Sequence, residues 1–516
     1  MKRKMLPWFA LLWAGIQTAG SQTASEALRL STSRPEATAR AMAMGSAFSA
    51  VGADYTAVAV NPAGVAFYRK GDATIGLKLQ HTATEATLQS PTGINAPYGK
   101  DRNKLAIEAL GLVGVIEPRN FNWSTLNVSI QMHRIADFSQ GVHYVGTGTG
   151  SITDRFLERS LDPEGQGLEG IHPDDLDPFE AGLAFEAGAL YDLGSDPDKY
   201  IYHTDLLDHP GFQLEREQQL KLNHGLHEIS FNVGGLYREW LALGAGIQVP
   251  VGSFSSRAEY FEREDVAGAL APFRSLRFDS ELTTHVAGVG IKAGLIVRPL
   301  PFLRLGASLQ SPYALVLRDK YSTALEYTFV LRGADTTISV QSPDGEFKYN
   351  LYTPWKAVMS GALVLPYGLI TFDADWYDPR NATYRLTTHS DVPGDSNLQG
   401  QVNADIGKQY KPVWQYRMGA ELALGHLRLR GGHQWLEQPY RNATGWDKVL
   451  SFGLGYRANR FYLDLAYALS QYEQSLAPYL TGESDFNGDG QVDAVIPLVD
   501  QEIERTQFMI TLGWKL

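Results

Sequence analysis

The chain has 516 residues, no Cys, 51 Gly and 25 Tyr, with 57 Asp plus Glu against 45 Lys plus Arg for a formal net charge of −12. The lack of Cys excludes a disulfide scaffold, a zinc–cysteine or iron–sulfur site and a thiol nucleophile. An acidic chain with no basic tract argues against nucleic-acid binding, and a charged fraction of 20% with abundant Gly and Tyr fits an all-β chain.

Lys2, Arg3 and Lys4 precede an apolar run from Met5 to Ile16, and Ala19-Gly20-Ser21 places small residues before Gln22. The run is too short for a stop-transfer helix, so residues 1–21 read as a secretory signal peptide and the chain is expected to leave the cytoplasm. No later segment has 18 uninterrupted apolar residues, which argues against helical membrane spans.

Residues 22–70 lack period-two patterning. The stretch from Glu36 to Phe48 is rich in Ala and Met and predicts a compact helix broken at Gly52-Ala53-Asp54. Asn61 followed by Pro62, Ala63 and Gly64 combines an N-cap residue with Pro at the first helical position. A small element of this kind is narrow enough to enter a barrel lumen as a plug, with Asn61 to Gly64 as its candidate gate.

From residue 71 onward, fourteen segments alternate apolar with small or polar residues: near 71–81, 103–117, 120–134, 225–237, 240–254, 280–297, 301–318, 350–365, 367–378, 410–424, 426–437, 447–457, 460–472 and 503–516. Leu450, Phe452, Leu454 and Tyr456 against Ser451, Gly453, Gly455 and Arg457 are typical. Period two puts the two sets on opposite faces of a strand, which suits lipid outside and a polar lumen inside. Tight turns such as Arg238-Glu239 and Ala458-Asn459 alternate with long segments, the longest being 135–224. An even strand number with short turns at one end and long loops at the other predicts a fourteen-stranded antiparallel transmembrane β-barrel in the bacterial outer membrane, spanning 71–516 behind the helical hatch at 22–70.

The loop 135–224 carries helix signals. Ser151-Ile152-Thr153-Asp154 opens one candidate helix, and Asp177-Pro178-Phe179-Glu180 opens another with Leu183 and Leu190 at helical spacing. Phe179, Leu183 and Leu190 are candidates for an apolar ligand groove over the barrel mouth. No nucleophile elbow, phosphate loop or His-Glu-x-x-His occurs, so no catalytic residue is assigned and an enzyme is not expected.

The residues Arg40, Ala43-Met44-Gly45-Ser46-Ala47-Phe48, Ala53-Asp54 and Val60-Asn61-Pro62-Ala63-Gly64 resemble the N-terminal hatch of the FadL/TodX family of outer-membrane transport proteins. Similar texture recurs at Arg304 to Ser308, Asp319 to Ser322, Tyr416 to Glu421 and Gly453 to Arg457. The resemblance implies passive, hatch-gated uptake of hydrophobic small molecules, long-chain fatty acid-like or aromatic, with sideways release through the barrel wall. It implies a hydrophobic ligand, outer-membrane lipid and the barrel-assembly machinery, which reads the C-terminal strand, as partners of a monomeric barrel that needs no cofactor and binds no nucleic acid. Arg417, Arg428 and Arg430 share the inward parity of neighbouring strands. They are candidate contacts for a ligand carboxylate, or else partners of the inward Glu421, Asp373 and Asp375. The alternatives to transport are a surface adhesion barrel using its large outer loops and, behind it, an outer-membrane hydrolase.

The outer loop 473–502 contains Asp485, Asn487, Asp489, Gln491 and Asp493 at the spacing of a calcium loop, with Ile496 where the bidentate acid would stand. Calcium should therefore protect this loop from protease only weakly, with a Kd of roughly 10⁻⁴–10⁻³ M. Asp489→Ala should abolish the protection, and equal protection by magnesium would reduce the segment to an acidic turn.

Overall fold

The computed structural model describes residues 11–12, 23–32, 36–90, 94–118, 122–162, 169–194, 199–209, 211–386, 395–481 and 496–516. The calcium-loop residues Asp485, Asn487, Asp489, Gln491 and Asp493, and nearly all of the leader, lie outside them.

Fourteen antiparallel strands close into a barrel. They are β1 (Asp72–Leu88), β2 (Tyr98–Ile116), β3 (Trp123–Asp137, continued by Gln140–Gly148), β4 (Leu214–Tyr237), β5 (Leu241–Glu264) and β6 (Phe273–Leu300). Next come β7 (Leu303–Gln310 and Ala314–Leu331), β8 (Gly345–Tyr352 and Lys356–Leu365) and β9 (Gly368–Tyr377 with Thr383–Leu386). The wall ends with β10 (Val413–Leu424), β11 (Leu427–Glu437), β12 (Trp446–Arg457), β13 (Phe461–Leu476) and β14 (Val499–Lys515). β14 pairs back onto β1 from Asp72 opposite Lys515 to Leu88 opposite Val499, so no sheet edge is left at the closure.

Side-chain parity explains the wall. Ile75, Leu77 and Leu79 are exposed on the outside of β1, whereas Thr74, Lys78 and Gln80 are buried inside. On β14, Phe508, Leu512 and Trp514 face out, and Met509 and Thr511 face in. Apolar groups thus coat the membrane face, and polar groups fill the lumen. Every predicted strand is present, but several run further outward than the alternation indicated: β4 begins at Leu214 and β5 reaches Glu264. Beyond the bilayer the outer face meets water, so the apolar parity stops while the hydrogen-bonded ladder continues.

Over the outer mouth, the long loop folds into α4 (Ile152–Ser160) and α5 (Ala181–Ala187). Ser151 and Asp154 form a reciprocal capping box on α4. The second helix starts at Ala181 rather than at Pro178: Asp177 instead accepts from the Phe179 amide at 3.1 Å, and Glu180 is held by Arg155 at 2.9 Å. Phe156, Leu157, Leu183, Ala184 and Leu190 join Tyr144, Tyr260, Phe273 and Tyr327 in one buried core. Beside it, burial pushes the Asp205 carboxyl above its usual range, although the Tyr327 hydroxyl donates to it at 2.6 Å and pulls the other way.

A charge placed midway along the lipid face should be costly. Ile247→Arg, on the exposed side of β5, is expected to lose about 2–4 kcal/mol, read as a lower urea midpoint for the gel-mobility shift between folded and unfolded barrel.

Candidate functional site

The lumen is occupied from the N-terminus. α1 (Ala24–Ser31) is capped by Thr23, whose hydroxyl accepts from the Glu26 amide at 3.1 Å. The Glu26 carboxylate accepts from Tyr349 at 2.9 Å and Tyr384 at 2.8 Å, which fixes the helix against β8 and β9. α2 (Ala39–Ala43), α3 (Tyr55–Val60) and a 3₁₀ turn over Pro62–Phe67 follow, with Thr38, Asp54 and Asn61 as their N-caps. The Asn61 side-chain oxygen accepts from the Ala63 amide at 3.1 Å, as its sequence position predicts, while its Nδ2 donates to the wall carbonyl of Leu295 at 3.1 Å.

This hatch is firmly seated rather than loosely packed. Small residues on the hatch meet glycines on the wall: a Cβ on Gly244 would strike the backbone of Pro62 and Ala63, and one on Gly419 or Gly432 would strike Met44. The contact is also hydrogen-bonded. The Ala39 amide donates to Thr511 at 2.8 Å, the Ser49 hydroxyl to Asp373 at 2.6 Å, Asn127 to the Val65 carbonyl at 2.7 Å and Lys292 to the Ala59 carbonyl at 2.9 Å. Arg40 of α2 pairs with Glu421 at 3.1 Å.

The wall is incomplete on one side. β1 and β2 stay paired up to Ala86 opposite Tyr98, but β2 and β3 pair only from Ile116 opposite Leu126 to Ala109 opposite His133. Above that point β3 bulges at Arg134–Ala136 and resumes at Gln140 against β4 alone. β4 bends at the same height, where His224 adopts a φ of 71° and Gly225 approaches the Ala136 carbonyl. The β2 edge from Tyr98 to Glu108 therefore lacks a ladder partner on its β3 side. Side chains span the gap instead. Arg102 donates to the Leu222 carbonyl at 2.6 Å and to Asn223, and Lys104 reaches Asp137 at 3.1 Å and Ser139 at 2.6 Å. An ionic chain links this latch to the hatch through Asp137–Arg134 at 3.0 Å, Arg134–Glu108 at 3.6 Å, Glu108–Lys78 at 2.7 Å and Lys78–Glu36 at 4.0 Å.

Between α1, the bent part of β3 and the facing wall lies a cavity of about 350 Å³. Leu28, Ile135, Phe138, Leu220, Leu222 and Phe254 form its apolar side, Arg29 and Arg505 contribute positive charge, and Glu36, Glu108, Asp137, Asp447 and Glu473 also line it. Arg29 stacks over Phe254 at 3.9 Å, and Arg505 lies over Tyr472 at 5.7 Å. Neither has a carboxylate within salt-bridge distance among the described residues, and the Arg505 Nε is buried with no hydrogen-bond acceptor.

The arginines singled out from the sequence have other roles. Arg417 pairs with Asp375 and lies 3.7 Å from Asp373, and Arg430 pairs with Glu421 at 2.6 Å and Asp464 at 2.7 Å. Arg428 donates to the Gly425 and Leu427 carbonyls at the periplasmic turn. All three are thus used within the protein. Phe179, Leu183 and Leu190 do not line an open groove: they are buried beneath the loop, because α5 and the residues on either side of it turn their apolar groups inward onto the strand extensions. Arg29 and α1 were not foreseen, although Thr23 followed by Glu26 is a capping-box spacing that would have marked the helix start.

A closed barrel with an apolar outer face, a polar lumen and an N-terminal segment packed inside it is a bacterial outer-membrane β-barrel protein. Its fold is that of the FadL/TodX channels. It matches the crystal structure of a Pseudomonas aeruginosa FadL homologue with a TM-score of 0.53 at 13% identity, covering 94% of this chain and 99% of that one. The TodX deltaS2S3 mutant monoaromatic hydrocarbon channel matches with a TM-score of 0.51 at 13% identity, covering 93% and 99%. No protein-family model and no curated protein matches the sequence.

Two substitutions separate hatch seating from barrel folding. Asn61→Ala removes a cap worth about 1 kcal/mol and the bond to the wall, so residues near 61 should become moderately more protease-sensitive in a barrel that still shows its folded gel mobility. Gly244→Val should expose the whole hatch to protease, because its side chain occupies the seat of Pro62 and Ala63.

Proposed function

We propose that this protein is a passive outer-membrane channel for hydrophobic small molecules, and that its preferred ligands are amphiphiles with an apolar body and a carboxylate head. The carrying observation is the luminal cavity, which pairs an aliphatic and aromatic side with two guanidinium groups that have no carboxylate within salt-bridge distance among the described residues, the nearby Glu26 being held by Tyr349 and Tyr384. Both guanidinium groups are half-buried, and an incoming carboxylate would meet them through charge-assisted hydrogen bonds. The apolar side would take the ligand's hydrocarbon by area burial.

In this reading the ligand leaves sideways. The cavity includes Ile135, Ala136 and Phe138 of the bent β3, and the neighbouring β2 edge is held only by side chains. Arg102 and Lys104 act as the latch of the wall gap, while the seated hatch is the floor that turns the ligand toward it. The sequence carries no nucleotide-binding motif to drive transport, so flux runs downhill.

Labelled oleate uptake by cells with and without the gene tests the reading, and loss of uptake in the deletion strain is expected. Arg29→Gln with Arg505→Gln should weaken oleate binding to the purified barrel roughly tenfold or more, as expected when charged hydrogen bonds of about 1.5–3 kcal/mol are lost, and should leave binding of an uncharged hydrocarbon nearly unchanged. Equal loss for both ligands would show that the arginines only shape the cavity. Arg102→Gln with Lys104→Gln should raise the release rate into lipid vesicles without changing equilibrium binding.

A further inference from the structure

The chain is acidic overall, yet its periplasmic rim is basic. Among the described residues at the strand ends and turns on that side stand Lys70, Arg238, Arg428, Arg460 and Lys515, against Glu117, Glu239 and the buried Asp72. Glu239 is already engaged by Arg69 at 2.7 Å and Arg298 at 3.5 Å. The five named cations have no carboxylate within salt-bridge distance among the described residues. Lys70, Arg238, Arg460 and Lys515 are exposed.

Their depth identifies the partner. Arg428 at the start of β11, Arg460 in the β12–β13 turn, Lys515 on β14 and Lys70 just before β1 share one arc of the rim, and Arg238 stands apart in the β4–β5 turn. Each level of the rim also carries exposed rings at the lower margin of the apolar wall, among them Trp240, Tyr456, Phe461 and Trp514. Aromatic rings mark the interfacial layer of a bilayer, and basic groups at that depth meet lipid phosphates.

We infer that the periplasmic rim binds the headgroups of anionic phospholipids in the adjacent leaflet and thereby sets the depth of the barrel in the membrane. The inference rests on the outer-membrane assignment and can fail independently of it.

The test uses the full-length barrel reconstituted in phosphatidylcholine vesicles containing a trace of spin-labelled phosphatidylglycerol or spin-labelled phosphatidylcholine. Resistance to a carbonate wash reports insertion, and so judges the membrane assignment alone. For inserted protein, phosphatidylglycerol should associate about threefold more strongly than phosphatidylcholine at low salt. The ratio should approach one in 1 M salt, where the Debye length is about 3 Å. The variant Lys70→Gln/Arg238→Gln/Arg460→Gln should lose most of the preference while keeping its folded gel mobility. If that variant fails to assemble, Arg460→Gln alone should give a partial loss. Equal association of the two lipids with the parent barrel would overturn the inference. So would a preference that survives in the assembled triple variant.

Discussion

A bilayer offers no water to an unpaired peptide group, so every backbone N–H and C=O inside it must find a protein partner. The fourteen-stranded closure answers that demand, with β14 returning to β1 along the whole length of both strands. The constraint also gives meaning to the lapse of the ladder between β2 and β3. From Tyr98 to Glu108 the inward bend of β3 leaves β2 without its neighbour, and Arg102 and Lys104 supply polar contacts across the break. Side-chain contacts can exchange one at a time, whereas a strand ladder opens cooperatively. A wall sealed in this way combines a closed resting barrel with a local route through it.

The lumen obeys a second rule, that buried charges are paired. Arg40, Glu421, Arg430 and Asp464 form one such group between hatch and wall, and Lys78, Glu108, Arg134 and Asp137 form another between hatch and gap. These groups hold the hatch by direction and charge where small side chains bury little apolar area. Against this background Arg29 and Arg505 are informative because they stand outside the pairing. Their nearest named neighbours are aromatic rings, which hold a cation without neutralising it.

Much of the wall was legible in the sequence because period two has only two outcomes. Once Leu450, Phe452 and Leu454 share a parity, they must face one side together, and their exposure with Ser451 buried follows. Local caps were legible for a similar reason: Asn61 before Pro62 and Ser151 before Asp154 act within one turn of chain, and both work as their spacing indicates. The shift of α5 shows the limit. The spacing Asp177-Pro178-Phe179-Glu180 predicts a helix start before Glu180, but Arg155, distant in sequence, claims the Glu180 carboxylate.

The sequence by itself determined the strand number, the face each residue presents, the tight turns and the caps, because these depend on neighbours a few residues apart. Only the tertiary structure decided which inward arginine meets an acid, since parity shows that Arg417, Arg430 and Arg505 point inward but not what lies opposite them. Partnership depends on register between strands far apart in the chain and on how deep the hatch sits. The same holds for the gap beside β2, which arises from a bend shared by β3 and β4, and for the burial of Leu183 on α5 and of Phe179 and Leu190 flanking it, which could turn inward only where the strand extensions supplied a matching surface.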